Sequence, residues 1–97
     1  MHYQIITTLV FTNWLNTVKD RNARKAILKR IDRIADGTFG EYKSVGSGVS
    51  EMKIRLGKGY RLYYTIKDRT VIVLLCGGDK STPTNDIALA KELKREL

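Results

Sequence analysis

The spacing of apolar positions changes period several times along the chain. Residues 3–7 (YQIIT) are aromatic and β-branched and predict a first strand. From Leu9 the period becomes helical: Phe11, Trp14, Leu15 and Val18 recur on one side, Thr8 is placed to cap the helix, and Trp14 belongs to the core. Residues 19–22 interrupt the pattern. A second helix is predicted over 23–35, with Ala23, Ile27, Ile31 and Ile34 on its buried stripe and Asp36-Gly37 ending it. Residues 37–50 hold four glycines and no helical period, which predicts an irregular connection with Phe39, Tyr42 and Val45 tucked against the sheet.

Strict alternation follows, as two strands of a hairpin require. Met52, Ile54 and Leu56, then Tyr60, Leu62, Tyr64 and Ile66, fall on one face. Glu51, Lys53 and Arg55, then Arg61, Tyr63 and Thr65, fall on the other. With Gly57-Lys58-Gly59 as the turn, Leu56 faces Tyr60, Ile54 faces Leu62 and Met52 faces Tyr64, while Arg55 faces Arg61 and Lys53 faces Tyr63. After a polar turn at 67–69, residues 71–76 (VIVLLC) are apolar at every position, which suits a central strand covered on both faces. A turn-like stretch at 81–85 leads to a helix from Asp86, with Ile87, Ala90, Leu93 and Leu97 on one side.

The order is βααβββα: an α+β layer structure, an antiparallel sheet with two N-terminal helices packed on it and a C-terminal helix. Ninety-seven residues with one proline and no low-complexity stretch make a single domain over 1–97. The formal charge of +8 points to an anionic partner without choosing among nucleic acid, a membrane surface and an acidic protein. Cys76, the sole cysteine, lies in an apolar run and reads as a core thiol. No signal-peptide pattern or membrane-length apolar run is present, so a soluble cytoplasmic protein with no membrane partner is expected. His2 is the only histidine, and neither a metal-ligand cluster nor a GxSxG or GxxxxGK[ST] motif occurs, so no metal and no cofactor are expected.

The chemistry concentrates on the outer face of the hairpin. Like charges directly across a ladder cost up to roughly 1 kcal/mol, so the opposition of Arg55 and Arg61 asks for a use. Two readings stand: these cations solubilise a wet face, or Lys53, Arg55 and Arg61, with Tyr63 beside them and Lys58 at the turn, form a polyanion site. Arg24, Lys25 and Lys29 on the second helix are either solvated or a further contact for nucleic-acid phosphates. The loop after the last strand brings Asp79 and Lys80 to the edge of the basic face. An RNA phosphodiester is cleaved by its own 2′-hydroxyl, so cations that orient the attack and stabilise charge on the phosphate suffice for catalysis.

The runs GTFGEYKSVGSGVSEMKIRLGKGYRLYY and VIVLLCGGDKST, with the N-terminal FxxWL helix and the basic second helix, resemble the addiction-module killer proteins, a HigB-like branch of the RelE/ParE toxin superfamily. The resemblance covers nearly the whole chain. It implies a compact sheet with packed helices, a ribosome-dependent endoribonuclease (mRNA interferase) acting on mRNA, and a cognate antitoxin, a small helix-turn-helix DNA-binding protein. By position, Lys53 and Arg55 match the two basic residues that RelE-like toxins place on the strand before GYR. Arg61 is the arginine of GYR, and Lys80 falls near the basic residue after the last strand. Tyr63, or Lys53, is left to assist proton transfer. The chain departs from RelE at its end, where that toxin has a catalytic tyrosine and this sequence has Pro83, Thr84, Asn85, Asp86 and Ile87. ParE-like members act on DNA gyrase, so a non-enzymatic gyrase poison is the alternative implied.

Overall fold

The computed structural model describes residues 2–97. Its elements are β1 (Gln4–Thr7), α1 (Leu9–Thr17), α2 (Arg21–Ala35), β2 (Tyr42–Gly46), β3 (Val49–Ile54), β4 (Tyr60–Lys67), β5 (Val71–Asp79) and α3 (Pro83–Arg95). The strands form one sheet in the order β1-β5-β4-β3-β2. All pairings are antiparallel except β1 with β5: α1 and α2 carry the chain from β1 to β2 at the far edge, and the β2-β3-β4-β5 meander returns to lie parallel to β1.

Caps set the helix ends. Thr8 Oγ1 accepts from the Phe11 amide at 3.0 Å and its hydroxyl donates to the Leu75 carbonyl at 2.5 Å, fixing the start of α1 to β5. Asp20 accepts from the amides of Asn22 and Ala23, so α2 begins at Arg21, within the stretch expected to interrupt the pattern. Pro83 occupies the first turn of α3, where its missing N–H costs nothing; the helix therefore starts ahead of Asp86, inside the stretch expected to be a turn.

The sheet is covered on both sides. Phe11 and Val18 of the α1 segment and Ala23, Ile27 and Ile34 of α2 pack on Met52, Ile54, Tyr60, Leu62, Tyr64, Ile72 and Leu74. On the other face α3 seats Ala90 against Val49, Tyr63, Val73, Leu75 and Cys76. The apolar run of β5 thus lies between two cores, as its composition predicts. A register shift opposite Tyr63 and Tyr64 turns both Leu75 and Cys76 towards α3. Beyond it Gly77 and Gly78 take opposite faces: a methyl on Gly77 would overlap the Trp14 indole, and one on Gly78 the Asp86 carboxylate. The glycine pair lets a helix close on each side of one strand.

Three expectations are corrected. First, a strand is missing from βααβββα: β2 forms within the segment expected to be irregular. It is an exposed edge strand with a register shift between Ser44 and Gly46, so its side chains do not alternate between core and water. Phe39 and Val45 do pack inward, but Tyr42 is exposed. Second, the hairpin register is displaced by two residues: Ile54 pairs with Tyr60, Met52 with Leu62, Lys53 with Arg61 and Glu51 with Tyr63. Residues 55–59 are all loop. Tyr60 takes the inner place expected of it, against Trp14, whereas Leu56, expected on the same face, falls in the loop and is left 39% exposed. A two-residue slip preserves each side chain's face while changing its partner, so the Arg55–Arg61 opposition is lost, and the face expected to be open is partly covered, with Glu51, Tyr63 and Thr65 buried. Third, Ile66 and Leu97 lie outside the core, exposed.

Candidate phosphate-binding groove

Where β3 and β4 meet the end of β5, a shallow groove of about 110 Å³ is lined by Lys53, Arg55, Arg61 and Lys80 around Ile54, Gly59 and Tyr60. Register explains the convergence. Lys53 sits directly opposite Arg61, and Arg61 opposite Gly78, which has no side chain to fill the space. Arg55 leaves the ladder into the hairpin loop, and Lys80 follows β5 at once. The four cations expected to form the site are therefore brought together, although Lys53 rather than Arg55 faces Arg61.

Each is held differently. Arg61 has a side chain only 20% exposed, and its Nε lies 3.7 Å from Glu51 Oε2, a carboxylate buried beneath α3. Among the described residues Arg61 Nη1, Glu51 Oε1 and the Tyr63 hydroxyl are buried without hydrogen-bond partners. Arg55, 73% exposed, is gripped bidentately by Glu41, with Nε and Nη2 each donating at 2.7 Å. That bond holds the Glu41 carboxyl below its usual range and raises the Arg55 guanidinium. Lys80 is exposed, its stem lying over Gly59.

The remaining candidates lie elsewhere. Tyr63, expected on the open face, is fully buried under α3 because that helix covers this part of the sheet. Burial first, then the charges of Glu51 and Asp86, push its phenol well above the usual tyrosine range, so it is not presented to a substrate as an acid or base. Lys58 points across the loop to Asp79, with Nζ 3.5 Å from Oδ2. Asp79 is kept below the usual carboxylate range chiefly by the Ser81 hydroxyl and amide, with Lys58 adding to the effect. Arg24, Lys25 and Lys29 belong to α2, on the opposite face of the sheet from the groove. Arg24 Nη1 is tied to the Leu15 carbonyl at 2.6 Å, whereas Lys25 and Lys29 are exposed.

Three contributors escaped the sequence reading. Glu41 and Glu51 stand next to cations only through strand pairing, with β2 unforeseen and β3–β4 in another register. Arg30 of α2 turns inward: Nη1 donates to the Lys53 carbonyl at 2.9 Å and Nη2 to that of Phe39 at 3.0 Å, clamping α2 to the strand end that carries the groove. Its burial lowers its pKa. Cys76 is the core thiol expected, pushed up to about 12 by burial and so not nucleophilic. No helix among the described residues is long and apolar enough to cross a membrane.

The fold is shared with known toxins. A free-state mutant of the E. coli toxin RelE superposes with a TM-score of 0.75 at 20% identity, each chain covered completely. A chain of the toxin-antitoxin complex RelBE2 from Mycobacterium tuberculosis gives 0.66 at 21% identity, covering 82% of this chain and all of that one. The RelE-like architecture implied by the sequence is thus the one observed. An uncharacterized protein of Haemophilus influenzae is 46% identical over 97 residues, covering all of this chain and 98% of the relative. Residues 13–95 match the family described as Phage derived protein Gp49-like (DUF891), and with the greater part of its length inside that match the chain belongs to the Gp49-like family.

Proposed function

We propose that this protein is the toxin of a toxin-antitoxin module and that its activity is endoribonucleolytic cleavage of mRNA on the ribosome, a HigB-like variant of the RelE reaction. The observation that carries the reading is the convergence of Lys53, Arg55, Arg61 and Lys80 on one groove. In the reaction the 2′-oxygen attacks phosphorus, its proton leaves to a base, and the P–O5′ bond breaks as the 5′-oxygen gains a proton. Negative charge grows on the phosphoryl oxygens, and cations fixed beforehand stabilise that charge without reorganising. Arg61, held from behind by Glu51 and 20% exposed towards the groove, is the fixed cation. Lys80 supplies a mobile charge, and Lys53 is the amine placed to exchange protons with the reacting oxygens. Arg55 contributes once RNA competes with Glu41 for its guanidinium.

A toxin with this exposed charge requires a partner that conceals it, and the RelBE2 complex is a precedent for a cognate antitoxin within this fold. The test is primer extension on a defined mRNA in translating ribosomes. The wild-type chain should produce codon-register cleavages, and Lys53→Ala/Lys80→Ala should lose them while unfolding at the parent's urea midpoint. Intact mRNA with inhibited supercoiling by gyrase would replace this reading with the gyrase-poison one.

A further inference from the structure

A second opening lies on the other side of the hairpin loop. Between the end of α1 and the start of β4 the surface forms a groove of about 560 Å³. Trp14 and Tyr60 line it, their ring centroids 6.4 Å apart at 62°, with the Trp14 indole backed by Gly77. Lys19 and Lys58 meet Asp20 and Asp79 around it, so its formal charges cancel. These carboxylates are engaged, Asp20 in capping α2 and Asp79 with Ser81 and Lys58. The neighbouring phosphate groove carries four cations. Tyr60 lines both, and beside it Gly59 and Lys80 line the basic groove, Lys80 Cδ lying 3.6 Å from where a Gly59 Cβ would stand.

We propose that this groove is a nucleobase subsite: single-stranded RNA with a phosphate among Lys53, Arg55, Arg61 and Lys80 passes over Tyr60, which the two grooves share, and rests a neighbouring base against Trp14. The inference rests on the reading of the basic groove as an RNA phosphate site. The two grooves divide the chemistry of a nucleotide. A groove of four cations, two of them paired with Glu41 and Glu51, keeps an excess of positive charge for the phosphate, and the groove with cancelled charge offers the Trp14 indole, with Tyr60 largely buried beside it, to the flat, uncharged base.

Trp14 is the only tryptophan and so reports on its own groove. The full chain is titrated with a 2′-O-methyl hexaribonucleotide, which cannot be cleaved, and with an abasic oligomer of the same length. Binding is followed by calorimetry and Trp14 by its emission. The hexamer should quench Trp14 saturably, and the abasic oligomer should bind roughly tenfold more weakly without quenching. Binding without quenching, or equal affinity for the two oligomers, overturns the subsite and leaves the cleavage reading standing. Quenching at unchanged affinity in Lys53→Ala/Lys80→Ala overturns the path between the grooves. If neither oligomer binds, the subsite is overturned, and cleavage on ribosomes independently decides the reading beneath it.

Discussion

Under α1 and α2 the sheet presents Met52, Ile54, Tyr60, Leu62, Tyr64, Ile72 and Leu74, a continuous apolar surface. Under α3 it mixes Val49, Val73 and Leu75 with Glu51, Arg61 and Tyr63, three of whose polar atoms have no partner among the described residues. The first face follows the ordinary rule of burial. The second breaks it, since a buried polar group left unsatisfied costs about 1 to 3 kcal/mol, and apolar replacements for a buried ion pair are often neutral or stabilising. The polar set lies directly behind the groove, and Arg61 passes from one into the other. One face is uniformly apolar, and the other carries buried polar groups that cost stability directly behind the groove.

The largest effect expected is on the apolar face. Leu62→Ala should destabilise the chain by about 2 to 5 kcal/mol, as truncating a buried leucine does, measured by urea unfolding. A variant melting like the parent would erase the distinction between the faces.

Next comes Arg61→Ala, which should reduce cleavage by roughly 100- to 1,000-fold, the scale for removing one preorganised donor to a developing oxyanion. It should also destabilise the fold by leaving Glu51 buried without its cation. Adding Glu51→Gln should restore most of the stability and none of the activity. Recovery of activity in the double variant would show that Arg61 serves only the fold.

Tyr63→Phe removes a buried hydroxyl whose nearest polar neighbour is the Glu51 carboxylate, so thermal unfolding should shift by no more than about 1 kcal/mol. Cleavage should stay within about twofold of the parent. A collapse in rate at unchanged stability would return Tyr63 to the reacting centre.

The smallest effect lies at alkaline pH, on the apolar face. Burial raises the Tyr64 phenol to about 12 from an ordinary value of 10.0. Because the folded chain holds this proton more tightly than the unfolded one, the stabilisation is complete below pH 10 and declines as pH rises towards 12. A urea midpoint measured at pH 9, 10 and 11 should fall between the last two, and less steeply in Tyr64→Phe. Equal slopes would remove Tyr64 from the account.

The apolar stripes of α2 and β5 and the inner face of the hairpin were legible in the sequence because a period tied to secondary structure marks which residues go inside. The Thr8 cap and the Asp36-Gly37 stop were legible for the same local reason. What the sequence hid was pairing. Nothing local to Glu51 says that it lies beside Arg61, because a two-residue slip of register leaves every face unchanged and every partner different. β2 was hidden because an edge strand exposed on most of its length has no alternation to display. Tyr63 was assigned to the open face because alternation gives its side correctly but cannot say that a helix starting at Pro83 will cover it. The convergence of Lys53, Arg55, Arg61 and Lys80 was foreseen, since neighbouring strand ends bring such residues together in several registers.

The bond from the Thr8 hydroxyl to the Leu75 carbonyl spans 67 residues, and with the parallel pairing of β1 and β5 it orders events in time. As the chain is synthesised, β1, α1 and α2 emerge before any strand they will cover, and they have no apolar surface on which to settle. They wait for β3, β4 and β5, so assembly depends on contacts distant in sequence, which close slowly. The same late step that gives the two early helices their floor brings Lys53, Arg61 and Lys80 within reach of one another. The first core needs the chain as far as Leu74 and the groove as far as Lys80, so the basic surface is completed within a few residues of the fold that supports it.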